Sequence, residues 1–123
     1  MKRRCTGARL EGKGLLTGFR FLINSRGVAS IAKGLDAQVH GLLWSLTEED
    51  LKRLDGYEGV QEGLYARTTT SILVGNESLP AWVYIASDNT KGQPRPGYLE
   101  RIVAAARAAG LPESYVQELE NAA

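Results

Sequence analysis

Cysteine, histidine and methionine are nearly missing from this chain, which has one of each among its 123 residues. One cysteine, Cys5, cannot form an internal disulfide. With His40 as the sole histidine, the several-ligand Cys/His set of a structural zinc site cannot be assembled either. That usage fits a reducing compartment, so the expected location is cytoplasmic. An excess of one charge is also lacking, because 15 Lys and Arg against 14 Asp and Glu leave a net charge of +1. The chain therefore has neither the basic surplus of a nucleic-acid binder nor an acidic, disordered composition. Lys2, Arg3, Arg4, Arg9, Lys13 and Arg20 fall near the start, but such a loose group reads as an ordinary solvated surface, and no nucleic-acid partner is expected. No apolar run approaches the roughly 20 residues that cross a bilayer, and the basic start Met1-Lys2-Arg3-Arg4 is followed by polar residues where a signal peptide would be apolar. No membrane partner is expected. Walker-type phosphate loops, GxGxxG, nucleophile elbows and HExxH are absent as well, which removes the usual support for nucleotide binding, serine hydrolysis and zinc proteolysis.

What is present is the core of one domain spanning 1–123, with 43% hydrophobic residues and 14 glycines, a composition suited to tight turns and a small curved sheet. Phe19, Phe21 and Ile23 alternate with Arg20, Leu22 and Asn24, which predicts a strand. Ser25-Arg26-Gly27 supplies a turn, and Val28 to Ala32 resumes an extended pattern until Lys33-Gly34-Leu35-Asp36 breaks it. From Gln38 to Leu46 apolar groups point both ways, as in a central strand. Thr47-Glu48-Glu49-Asp50-Leu51 is a helix start, with a capping hydroxyl, acids at the positive end of the dipole and Leu46 placed to staple onto Leu51. Gly56 is expected to end that helix, and a glycine-rich loop runs on to Gly63. Two further strands, Tyr65 to Val74 and Ala81 to Ser87, flank a turn at Gly75-Asn76-Glu77-Ser78. Asp88 to Gly97 reads as loop. Leu99, Ile102, Val103 and Ala106 recur at helical spacing before Gly110, and Glu113 to Glu120 forms a last short helix.

Chemistry-bearing residues are few. Lone His40 lies inside a strand and Cys5 has no histidine near it in sequence, so neither reads as a catalytic group. Glu58, held in Leu54-Asp55-Gly56-Tyr57-Glu58-Gly59-Val60, and the tyrosines Tyr65, Tyr84 and Tyr98 remain. Taken singly, each is an ordinary loop acid or half-buried aromatic.

Their order along the chain adds to this. Val39-His40-Gly41-Leu42-Leu43-Trp44, the LDGYEGV segment around Glu58, Gly63-Leu64-Tyr65, Trp82-Val83-Tyr84, Pro94-Arg95-Pro96-Gly97-Tyr98 and Gly110-Leu111-Pro112-Glu113-Ser114-Tyr115 together resemble the gamma-glutamylcyclotransferase family, in particular its short bacterial members. The resemblance implies an α+β fold, a small mixed β-barrel with flanking helices. It implies cleavage of a γ-glutamyl amide by the substrate's own α-amine, releasing 5-oxoproline, with no metal and no organic cofactor. Glu58 corresponds to the family's catalytic acid/base, Tyr98 to a substrate-contacting tyrosine, and Tyr65 and Tyr84 to pocket-lining tyrosines. For proton transfer at neutral pH, Glu58 is expected to face inward and to be largely desolvated. The family's YGSN segment and first strand have no counterpart in these 123 residues. The resemblance then implies an open barrel edge, weak or absent turnover by this chain alone and a homodimer through that edge. The alternative is a non-catalytic small-ligand-binding or regulatory relative of the same fold.

Overall fold

The computed structural model describes residues 7–122; Cys5 and the basic start Met1 to Arg4 lie outside the described residues. Strand β1 (Arg9–Ile23) turns at Asn24 to Val28 into β2 (Ala29–Ser45); helix α1 (Glu48–Tyr57) leads to the hairpin β3 (Tyr65–Val74) and β4 (Glu77–Ala86); α2 (Tyr98–Ala108) and α3 (Glu113–Glu120) close the chain. The four strands form one antiparallel sheet in the order β2-β1-β3-β4.

β1 is longer than its alternation suggested because glycine interrupts the pattern. Gly14 sits where the hairpins cross, and a Cβ there would lie 2.6 Å from the Ile72 side chain of β3. Gly18, at φ 82°, faces an irregularity: Thr17 pairs with Gln38 and Phe19 with Lys33, so Gly34 to Ala37 bulge out of β2. The expected break at Lys33 to Asp36 is therefore a bulge inside one strand, with Asp36 left-handed at φ 62° and Leu35 exposed. β2 also stands at the sheet's edge and not, as expected, at its centre. Its apolar groups point both ways because Val39 packs toward the helical core while Leu42 and Trp44 line a groove.

The expected α+β architecture, helices outside a curved sheet, is present. The closed, mixed barrel is not found among the described residues. Among the described strands the pairings are antiparallel, and the two edges meet at one end, where the Ala86 N–H donates to Ser30 Oγ at 3.0 Å. Short connections explain the direction: the turns at Asn24 to Val28 and Gly75-Asn76 are hairpins, whereas parallel neighbours need a crossover of a dozen or so residues.

Two apolar clusters hold the elements. Val103, Ala106, Tyr115, Val116 and Leu119 of α2 and α3 pack on Ile23 and Phe21 of β1. Ala8 and Leu54 form the other, with Trp44, Leu46 and Tyr84 against them. No helix of the described residues is long and apolar enough to cross a membrane.

Candidate active site

Glu58 caps the C-terminus of α1, its N–H bonded to the Leu54 carbonyl at 2.8 Å. The helix starts as the sequence predicts, with the Thr47 hydroxyl accepting from the Asp50 N–H at 3.0 Å. It runs through Gly56, and the residue that ends it is Gly59, at φ 67°. The turn then closes by bonds from Val60 N–H to the Asp55 carbonyl and Leu64 N–H to the Gly59 carbonyl. Thr47, Leu51, Leu54 and Glu58 thus fall along one helical stripe, and its first three members line a groove of about 930 Å³ between β2 and β4. Glu58 is half-buried, less desolvated than expected, because it stands just beyond the last residue of α1.

Tyr65 and Tyr98 converge on one residue of β2. The Tyr65 hydroxyl donates to the Ala29 carbonyl at 2.9 Å, and the Tyr98 hydroxyl accepts from the Ala29 N–H at 3.0 Å. Burial raises the Tyr65 pKa above its ordinary value. Tyr98 and the Glu58 carboxylate push it the same way, against the pull of Arg26 and Arg95. The charges of Glu58, Arg26 and Arg95 are thus felt at the Tyr65 phenol.

Tyr84 is drawn elsewhere. Its hydroxyl donates to Asp55 Oδ1 at 2.5 Å, Asp55 Oδ2 pairs with Arg67 at 3.0 Å, and the Arg67 guanidinium lies 4.5 Å from the centre of the Trp82 ring. Burial, then the bond to Asp55, raise the Tyr84 pKa, and Glu58 adds a smaller push. Of the four residues singled out from the sequence, only Tyr84 lines the large groove. A second cavity of about 500 Å³, between Phe21 and Tyr115, includes none of them. Half-buried His40 stacks obliquely on Tyr115, with ring centres 4.8 Å apart, as a packed strand histidine.

Asp55, Arg67, Arg26 and Arg95 were not singled out by sequence. Two signals were available: Asp55 and Glu58 stand three apart at a helix end, and Arg67 faces Tyr84 directly across the β3–β4 ladder. Nothing local flags Arg26, in the β1–β2 turn, or Arg95, in the long loop that folds over that turn. That loop is tied to the β1–β2 turn by bonds from Asn24 Nδ2 to the Asp88 carbonyl, from Gly92 N–H to the Ile23 carbonyl and from Arg95 N–H to the Gly27 carbonyl. Asn24 is fully buried, and Gly92 passes so close that a Cβ there would be 2.4 Å from the Asn24 carbonyl oxygen. The loop thereby sets Tyr98 at the first turn of α2.

The sequence and the fold match known proteins. Residues 38–119 match the AIG2-like family, and the chain belongs to that family. Its relatives include the gamma-glutamylcyclotransferase of Homo sapiens, 26% identical over 95 residues, and that of Bos taurus, 30% identical over 97. These alignments cover 76% and 77% of this chain but 50% and 51% of the relatives, so the chain spans about half their length. A solved structure named gamma-glutamyl cyclotransferase superposes with a TM-score of 0.88 at 23% identity, covering 97% of this chain and 77% of the other. The family resemblance read from the motifs is thus borne out, and so is the α+β fold with its helices beside the sheet.

Proposed function

We propose that the chain is a gamma-glutamylcyclotransferase-type enzyme in which Glu58 is the general acid/base. The observation that carries this reading is the convergence of Tyr65 and Tyr98 on Ala29, with Glu58 half-buried at the end of α1 and its charge felt at the Tyr65 phenol. In the proposed reaction the substrate's α-amine attacks its own γ-carbonyl. A C–N bond closes the five-membered ring, the amide C–N bond breaks, and the proton taken from the α-amine by Glu58 passes to the departing amine. Products are 5-oxoproline and a free amine or amino acid.

Energetics suit a single carboxylate. Nucleophile and carbonyl belong to one molecule, so holding the folded substrate contributes about 7–11 kcal/mol that a bimolecular reaction lacks. Proton transfer is the smaller problem: from an amine of pKa about 8 to an ordinary glutamate near 4.3 it is uphill by roughly 5 kcal/mol. Tyr65, with its raised pKa, stays protonated at neutral pH and serves as a donor or a wall, not as a base. A cytoplasmic location belongs to the same proposal, supported by a composition with one cysteine.

The test is 5-oxoproline release from γ-glutamyl-alanine. Glu58→Gln should keep the fold and lower turnover by about 10²–10⁴-fold; near-normal release would take Glu58 out of the mechanism. One observation favours the second reading, a ligand-binding relative without turnover: both phenol hydroxyls at the site are already engaged by Ala29. Saturable binding of the same amide with no 5-oxoproline formed would establish that reading in place of the first.

A further inference from the structure

We infer that Arg26 and Arg95 form a subsite for a carboxylate of the substrate, an inference that rests on the cyclotransferase reading. Arg26 stands in the β1–β2 turn and Arg95 in the loop folded over it. Arg95 is fixed twice, its N–H to the Gly27 carbonyl at 3.1 Å and its Nε to the Arg26 carbonyl at 3.0 Å. Gly27, at φ 80°, leaves room for it, since a Cβ there would lie 2.8 Å from Arg95 Cγ. With Nε committed, the two terminal nitrogens remain for a ligand, the edge with which guanidinium grips a carboxylate in two parallel bonds.

Neither guanidinium has an ion-pair partner among the described residues. Asp88, which attracts Arg26, already accepts from the Ser25 hydroxyl and the Thr90 N–H. Arg26 and Arg95 are both exposed cations on adjoining segments, held together through the Arg95 Nε bond to the Arg26 carbonyl, and an anionic ligand there offsets their mutual repulsion. Their position is the second argument. Gly27, to whose carbonyl Arg95 is bonded, stands two residues before Ala29, where Tyr65 and Tyr98 meet, and the Tyr98 N–H donates to the Arg95 carbonyl at 3.0 Å; the charges of Arg26 and Arg95 are felt at the Tyr65 phenol alongside that of Glu58. A γ-glutamyl amide carries an ammonium and a carboxylate on one carbon. Glu58 suits the first, and nothing else described around Tyr65 suits the second. A carboxylate on the leaving group has the same chemistry and could occupy the same subsite.

Calorimetric titration of the Glu58→Gln chain, which reads binding without turnover, separates these. Three probes are used: γ-glutamyl-alanine with both carboxylates, γ-glutamyl-ethylamide with only the α-carboxylate, and 4-aminobutanoyl-alanine with only that of the leaving group. Arg26→Ala/Arg95→Ala should weaken γ-glutamyl-alanine by about tenfold or more, and Arg95→Lys should restore part of the loss. Loss shared by the two γ-glutamyl probes alone assigns the subsite to the α-carboxylate. Loss shared by the two alanine probes alone assigns it to the leaving group. Lys52→Ala, a change of equal charge on the exposed face of α1, should have little effect. If no affinity moves by more than about twofold, or if Lys52→Ala matches the double variant, the subsite is refuted. Release of 5-oxoproline by the unsubstituted chain would in that case leave the cyclotransferase reading intact. A chain that neither binds any probe nor releases 5-oxoproline refutes both.

Discussion

Ala29 has no functional group in its side chain, yet its backbone holds two of the candidate site's phenols. The pair is not symmetric. Tyr98→Phe strips the acceptor from a partly buried N–H, whose desolvation then goes uncompensated, and should cost about 1–3 kcal/mol in urea denaturation. Tyr65→Phe removes a donor from a carbonyl that has a second lone pair, and should cost less. Equal losses would mean that the Ala29 N–H finds another acceptor. Protonation gives a further handle. In the folded chain Tyr65 and Tyr84 are both raised above the ordinary phenol pKa near 10. The stability linked to them is fully present below that value and is lost as pH rises through their folded pKa values. Alkaline unfolding should therefore set in above about pH 10, and Tyr84→Phe should flatten the decline. An unchanged alkaline limb would sever that link. Little of this pairing was legible in the sequence, since a tyrosine's spacing says that it is half-buried and not which distant carbonyl it meets.

Helices were easier to read than strands, for a physical reason. Helix α3 runs from Glu113 to Glu120 as its periodicity predicts, and α1 starts behind Thr47 as its capping chemistry predicts. Both signals are local. Thr47→Ala should cost about 1 kcal/mol, read as a lowered melting temperature. The end of α1 was misplaced because Gly56 and Gly59 are equally good terminators by composition. Only Gly59 takes the left-handed conformation, with the Leu64 side chain packed where a Cβ would be. Gly59→Ala should therefore shift Glu58 as well as destabilise the turn, and activity should fall more than stability. Equal effects on the two would mean that the turn does not aim the carboxylate. The first half of β1 was missed because Gly12, Gly14 and Gly18 erase the alternation that marks a strand, while serving the bulges and the close crossing of β3.

At the scale of the whole molecule, the sheet has two edges without a neighbouring strand among the described residues, and its groove leaves Leu42 40% and Trp82 52% exposed. Self-association through such an edge was expected from the sequence, and we propose a homodimer formed there. Sedimentation should show mass rising with concentration, with Leu42→Lys returning the monomer; a monomer at every concentration would rule the dimer out. The ties between the β1–β2 turn and the long loop have a consequence for how the molecule breathes. With Asn24 buried between them, neither segment can lift while the other stays down. The amides of Gly27, Gly92 and Arg95 should then exchange with deuterium at a common opening free energy, as one cooperative unit.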